Sequence, residues 1–196
     1  MQYEEGVLMK KICIDPGHGG RHPGAVSGDL VEKDIALKIS MALRASLEAR
    51  GYETVMTRVS DAYVSIRKRA AWANLERCDF FISVHLNADP DPDEPGMHEA
   101  SGEEILVYSV RSAGYAVAVS MLPEIDKLVP GAIRGVKIRP DLGVLSYTQM
   151  PAMLIECGFI DNKVGGKSLF KRPEVAGEIV AQAFDQAYRA YLEQPR

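Results

Sequence analysis

The sequence predicts an α/β fold: a single twisted, mostly parallel sheet of about six strands with helices on both faces. Short β-branched or aromatic runs alternate with segments of helical periodicity, and strands that are joined through helices run parallel. The length of 196 residues and the hydrophobic fraction of 46% fit one globular domain with a sizeable core. No internal repeat or low-complexity tract favours another architecture.

The strands are predicted where a short apolar run ends in Gly, Pro, Asp or Asn. They cover residues 11–14, 54–57, 80–84, 105–110 and 153–156. The first helix is predicted where apolar residues recur at every fourth position, and it ends at Gly51, a typical C-cap. The recurring residues are Ile35, Ile39, Leu43 and Leu47. Further helices are expected over residues 64–75, 113–128 and 173–192, and a polar surface loop over 88–104.

The composition excludes several classes of function. A net charge of −4 leaves no basic surface that could capture nucleic acid, so nucleic acid is not expected as a partner. The apolar runs are far too short to span a bilayer, and no membrane insertion is expected. The three cysteines include no CxxC pair, which argues against a disulfide framework or a structural zinc site. We expect reduced, mostly buried thiols.

Polar side chains follow three of the predicted strands. The first strand runs into DPGHGG with His18, the third into SVHLN with His85, and a late one into IECGF with Glu156. Glu32 lies at the start of the first helix, directly after the His18 loop. Because the carboxyl ends of strands in such sheets line one crevice, we expect these groups to meet there. Two imidazoles and a carboxylate are typical of an open catalytic zinc site, and a second carboxylate could move protons in metal-assisted hydrolysis.

Each of these residues also has a structural interpretation. A single His after a strand is often a hydrogen-bonded structural residue, and Glu32 could be a favourable negative charge in a first helical turn. Glu156 is harder to explain in this way, since a carboxylate that follows apolar residues is costly to bury without a partner. His22 and His98 are not expected as ligands, and His98, in the polar loop, should face solvent.

Four ordered motifs resemble those of a known family. They are DPGHGG at 15–20, VEKDIAL at 31–37, SVHLNA at 83–88 and PAMLIECGFIDN at 151–162. In sequence and spacing they are similar to the motifs of the zinc-dependent N-acetylmuramoyl-L-alanine amidases of the amidase-3 type. The resemblance implies that His18, Glu32 and His85 bind one zinc ion and that Glu156 is the catalytic carboxylate. It also implies that the amide bond between N-acetylmuramic acid and L-alanine in bacterial peptidoglycan is cut, which releases the stem peptide.

The organisation of the chain follows from the same resemblance. Residues 1–10 are expected to be an N-terminal extension, and residues 11–196 one catalytic domain. Peptidoglycan is the expected partner, and we expect a monomer. Action in the cell envelope or outside the cell is implied, although no signal peptide is visible in the sequence. Either the release of a phage-type enzyme or the trimming of an exported protein would explain why no signal peptide is visible.

Four alternatives are weighed against this interpretation. The serious one is a related zinc hydrolase, an exopeptidase or a deacetylase, that acts on a different amide, because a metal site determines the reaction type better than the substrate. A cysteine hydrolase would use Cys157, but neighbours in a strand face opposite ways, so Cys157 should point away from Glu156. Nucleotide binding is disfavoured because the glycine-rich loop does not match GxGxxG. A non-catalytic wall-binding module would not need the intact site residues.

Overall fold

A computed structural model of the chain describes residues 10–89, 100–128, 133–162 and 169–194. Its strands are β1 Lys11–Pro16, β2 Val26–Ser27, β3 Leu30–Val31, β4 Glu53–Met56, β5 Phe80–Asn87, β6 Glu103–Val107, β7 Ile133–Ile138 and β8 Ala152–Phe159. Six of them form one sheet in the order β4-β1-β5-β8-β6-β7, and β2 pairs with β3 in a separate hairpin. Neighbouring strands of the sheet run parallel, except that β6 is antiparallel to β8. The mostly parallel sheet predicted from the sequence is therefore confirmed.

Helices cover both faces of this sheet, as the sequence predicts. They are α1 Glu32–Ala49, α2 Ile66–Leu75, α3 Ala113–Leu128, α4 Gly143–Ser146 and α5 Pro173–Leu192, with a short 3₁₀ helix at Leu169–Lys171. Helices α1, α3 and α5 pack on one face, where Leu43, Met121 and Phe184 are fully buried. Helices α2 and α4 pack on the opposite face through Ala73 and Val144.

Strand β8 shows how the alternation of side chains positions the functional groups. Met153, Ile155 and Cys157 belong to the core that α1, α3 and α5 cover, whereas Leu154 belongs to the smaller core under α2 and α4. A strand buried on both faces has a continuous apolar run rather than an alternating one, which is how β8 was predicted. Because successive side chains face opposite sides of a sheet, Glu156 lies on the α2 and α4 side with Leu154.

The predicted elements agree with the structure in type, and they differ at several ends. Helices α3 and α5 have the predicted bounds and α1 begins at Glu32, as predicted, whereas α2 begins at Ile66 rather than at residue 64. Strand β6 ends at Val107, because a turn between Ser109 and Ser112 follows it. Strand β7, the β2–β3 hairpin and α4 were not predicted. Strand β7 lies at the edge of the sheet and is only partly buried, and its sequence IRGVKI mixes charged and apolar residues. It also contains Gly135 at a φ of 100°, so it has no continuous apolar run that would predict a strand.

The expected N-terminal extension and the polar loop lie largely outside the described residues. Residues 1–9 of the expected N-terminal extension lie outside the described residues, as do positions 90–99 of the polar loop with His98. The assignment of residues 11–196 to one catalytic domain stays a prediction. Among the helices that the described ranges contain, none is both long and apolar enough to cross a membrane.

Candidate metal centre

Three elements bring His18, Glu32 and His85 together at one edge of the sheet. His18 follows the end of β1, His85 lies near the end of β5, and Glu32 is the first residue of α1, directly after the β2–β3 hairpin. Glu32 Oε1 lies 3.0 Å from His18 Nε2 and 2.9 Å from His85 Nδ1. The three donor atoms lie within 4.8 Å of one another. Two imidazole nitrogens and a carboxylate oxygen at this spacing form a donor set that can hold a divalent metal.

The Glu32 carboxylate is fixed from several sides. It is buried, with Oε1 accepting the Leu86 N–H at 3.0 Å and Oε2 accepting the Ala25 N–H at 2.8 Å. Burial by itself would raise the pKa of Glu32, but the contacts with His18 and His85 outweigh it and hold that pKa well below its usual range. Glu32 is therefore an anion at neutral pH, which is the form that binds a metal ion.

Glu156 lies beside this group, because its backbone pairs with that of His85 in the β5–β8 ladder. Its Oε2 atom is buried and has no hydrogen-bond partner among the described residues. Burial raises the pKa of Glu156 to about 7, and the nearby carboxylates of Glu32 and Glu104 act in the same direction. A carboxyl group with such a pKa can both accept and release a proton near neutral pH.

A buried polar network supports the loop that carries His18. Asp15 accepts hydrogen bonds from Arg69 Nη1 at 2.8 Å, from Ser83 Oγ at 2.7 Å and from Thr57 Oγ1 at 2.5 Å. Arg69 also donates to the carbonyl of His18, whose φ of 57° lies in the left-handed region. Such a conformation is uncommon outside glycine, so the bond from Arg69 helps to hold it.

A second arginine completes this support. Arg58 donates from Nη2 to the carbonyls of Gly17 and Lys33, both at 2.7 Å, and so ties the His18 loop to the start of α1. Sequence reasoning assigned no role to Asp15, Arg58 or Arg69. The available signal was the place of Asp15 within the quoted DPGHGG motif.

Two glycines leave room for the ligands. A Cβ atom on Gly17 would lie 2.5 Å from His85 Cε1, and a Cβ on Gly24 would lie 2.4 Å from Glu32 Oε2. These distances are far below van der Waals contact, so only glycine allows the backbone to approach the side chains this closely.

A cavity of about 310 Å³ opens beside the donor set. His18 and His85 line it, together with apolar residues from α2, from β8, and from α4 with the residue before it. Those apolar residues include Ile66, Leu142, Val144 and Leu154. His22 also lines this cavity but stacks on Tyr63 with ring centroids 4.8 Å apart, and it does not belong to the metal-capable group. A pocket with an apolar wall and a few converging polar groups is typical of a small-molecule or peptide site.

Cys157 lies apart from this cavity. It is fully buried in the core under α1, α3 and α5, on the opposite side of β8 from Glu156. Burial raises the pKa of the Cys157 thiol well above its ordinary value. Since the thiolate is the reactive form, this environment argues against the cysteine hydrolase considered above.

Comparison with known proteins assigns a family to this arrangement. The family model described as N-acetylmuramoyl-L-alanine amidase matches residues 12–183. The sporulation-specific N-acetylmuramoyl-L-alanine amidase of Bacillus subtilis is 39% identical over 156 residues, which cover 78% of this chain and 57% of that protein. The endolysin of Bacillus phage SPP1 is 36% identical over 163 residues, covering 80% of this chain and 57% of that protein. The chain thus spans somewhat more than half the length of these two curated relatives.

A solved structure agrees over the whole fold. The crystal structure of N-acetylmuramoyl-L-alanine amidase from Clostridium difficile 630 superposes with a TM-score of 0.82 at 29% sequence identity. The match covers 96% of this chain and 99% of that one. The order and packing of the elements described above are therefore shared with a structure of that name.

Proposed function

Because the chain belongs to the N-acetylmuramoyl-L-alanine amidase family, we propose that it is a zinc-dependent hydrolase of the amide bond between N-acetylmuramic acid and L-alanine in peptidoglycan. The observation that carries the proposal is the convergence of His18, Glu32 and His85 on one point, with the unpartnered carboxyl group of Glu156 beside them. The products would be a free stem peptide that begins with L-alanine and a glycan strand that keeps its lactyl carboxylate.

In this proposal His18, Glu32 and His85 hold one zinc ion. The donor set fits zinc, which takes imidazole nitrogens and carboxylate oxygens and keeps a further position open in catalytic sites. When bound, zinc supplies a Lewis acid next to the scissile carbonyl and an activated water molecule. Glu32 contributes a negative charge that its low pKa maintains, and Gly17 and Gly24 leave the space that the ligands occupy.

Glu156 is the proposed proton carrier. Its carboxylate accepts a proton from the attacking water as the new C–O bond forms, and it donates that proton to the leaving amine as the C–N bond breaks. A pKa of about 7 suits both halves of this transfer at neutral pH, because the group is easily protonated and easily deprotonated. The carboxyl group is thereby returned to its starting state after each turnover.

The proposed place of action is the cell envelope or the medium outside the cell, where peptidoglycan is accessible. The relatives include a protein named as a phage endolysin and one named as sporulation-specific. A monomer is proposed, since each residue of the metal-capable group comes from this one chain.

The test is digestion of purified peptidoglycan after treatment with EDTA, with and without restored zinc. We expect zinc-dependent release of stem peptides with a free L-alanine amino terminus, identified by mass spectrometry. Glu156→Gln should reduce the rate by about 10²–10⁴-fold while the amount of bound zinc stays the same. If zinc binds but the wall is left intact, the substrate assignment is wrong, and the zinc hydrolase of another amide takes its place.

A further inference from the structure

The face of the sheet that carries Glu156 also carries two basic side chains from the edge strand. Glu104 of β6 lies directly opposite Glu156 in the antiparallel β6–β8 pair, so the two side chains share a face. Arg134 and Lys137 of β7 both contact the Glu104 carboxylate, which places them on the same face. Their side chains are 40% and 48% exposed, so this half of the sheet is accessible to a ligand.

The charges in this group do not balance. Glu104 Oε2 lies 3.3 Å from Arg134 Nε and 2.5 Å from Lys137 Nζ, and one carboxylate therefore faces two cations. Glu104 Oε1 accepts from Asn87 Nδ2 at 2.8 Å, a neutral donor. Arg139, the third cation near this strand, is neutralised by Asp141, since two of its nitrogens bond the two carboxylate oxygens. Arg134 and Lys137 thus carry one positive charge more than the Glu104 carboxylate neutralises, one strand away from Glu156, in a chain whose net charge is −4.

The two cations are held in place and still have donors to offer. Arg134 lies 4.9 Å over the ring of Phe159, and its Nη1 makes a long bond of 3.4 Å to the carbonyl of Ser101. Buried Glu104 anchors both cations from below. A guanidinium has five N–H donors and an ammonium three, so the contacts among the described residues leave several of them for a ligand. Positioned donors of this kind bind carboxylates well.

We propose that Arg134 and Lys137 bind the free carboxylate on the second residue of the stem peptide and so give the enzyme a preference for acidic stem peptides. This inference rests on the proposed function. Strand β7 lies two strands away from β8, a distance of about 10 Å at the usual strand spacing. The cationic groups of Arg134 and Lys137 reach back to Glu104 on β6, one strand spacing of about 5 Å from Glu156. An extended peptide advances about 3.5 Å per residue, so the carboxylate of the second residue after the scissile bond comes within reach of these groups.

The test compares two synthetic N-acetylmuramoyl dipeptides that begin with L-alanine. In both, the γ-carboxyl of the second residue is capped as an amide, as it is within a longer stem peptide. One substrate has γ-linked D-glutamate with a free α-carboxylate as its second residue, and the other has D-isoglutamine, whose α-carboxamide lacks that charge. We expect wild-type kcat/KM to favour the acidic substrate about tenfold, the lower end of what a charge-assisted hydrogen bond contributes. Arg134→Gln and Lys137→Gln each keep a donor for Glu104, and the double variant should bring the ratio close to one. The preference should also weaken as salt is added.

Lys38→Gln is the matched control, because Lys38 is exposed on α1, on the opposite face of the sheet, and its loss should leave the ratio unchanged. Equal cleavage of both substrates by the wild-type enzyme would overturn the inference and leave the proposed function intact. An equal loss on both substrates in the double variant would likewise overturn it, since the cations would then act on something that the substrates share. Failure to cleave either substrate or peptidoglycan would overturn both the inference and the proposed function.

Discussion

Two carboxyl groups, those of Glu103 and Glu156, have a raised pKa because they are buried. They lie on opposite faces of the sheet. Burial raises the pKa of each to about 7. Glu156 adjoins the metal-capable group, whereas Glu103 accepts the N–H of Leu169 at 3.0 Å within the core under α1 and α5. Its second oxygen has no hydrogen-bond partner among the described residues. A raised pKa therefore accompanies the proposed proton carrier at one position and a cost to stability at the other.

Glu103→Gln should stabilise the protein above neutral pH. The carboxyl pKa rises from 4.5 in the unfolded chain to about 7 in the fold, so the folded state binds more protons between these values. The contribution of Glu103 to stability is therefore greatest below about pH 4.5 and is lost as the pH rises through 7, by up to about 3 kcal/mol. Glutamine mimics the neutral form and should remove this part of the pH dependence. Urea unfolding of metal-free protein between pH 5 and 8 measures it, and an unchanged slope in the variant would contradict the assignment.

The site residues differ in how far the sequence could predict them. His18, Glu32, His85 and Glu156 each stand at the end of a strand or the start of a helix, so local pattern and strand order suffice to predict that they meet. The Asp15–Arg69 pair joins residues 54 positions apart. Its role depends on a contact between β1 and α2 that no local pattern encodes, and it becomes visible only when the elements are packed.

At the scale of elements, the loop after β1 depends on how closely its backbone approaches β5. Gly17→Ala should weaken zinc binding by about 10–100-fold, the usual effect of disturbing the surroundings of a metal ligand. The added methyl group would lie within 2.7 Å of three atoms of the His85 ring and would push that ring out of place. Isothermal titration with zinc measures the change.

Gly28→Ala is the control for this experiment. Gly28 lies in the β2–β3 turn at a φ of 57°, and a Cβ there meets nothing within 4 Å. This variant should lose a little stability from backbone strain and keep its affinity for zinc. Equal losses of affinity in both variants would show that the contact between Gly17 and His85 is not what matters.

The sequence predicted the helices and strands that have a fully buried face. The elements that it did not predict are only partly buried or very short. Helix α5 has eight buried residues at helical spacing and begins with Pro173, so both its bounds were predicted. Strand β7 is half exposed along most of its length, and the conformation of Gly135 interrupts its alternation. Helix α4 spans four residues, which is too short for a periodic pattern. The unpredicted β7 provides both Arg134 and Lys137, so the inferred specificity site depends on an element that local pattern does not reveal.

At the scale of the whole molecule, the strand order links the metal-capable group to the stability of the fold. Strands β1, β5 and β8 are neighbours at the centre of the sheet, and their ends carry His18, His85 and Glu156. Glu32 adds α1, which packs against α5 across the core. A ligand that joins His18, Glu32 and His85 therefore connects segments that are far apart along the chain and separate when it unfolds.

Zinc should consequently stabilise the folded protein as a whole. A ligand that binds only the folded state at 100 times its Kd adds about 2.7 kcal/mol. For a chain of this length that corresponds to a rise in Tm of roughly 5–10 °C, and EDTA should reverse it. Calorimetry with and without zinc measures the shift. His85→Ala should abolish the zinc-dependent rise, whereas Lys38→Gln should keep it. If the Tm of His85→Ala rose by the same amount with zinc, zinc would be bound elsewhere. A site that loses one of its three protein ligands does not keep the same affinity for the metal.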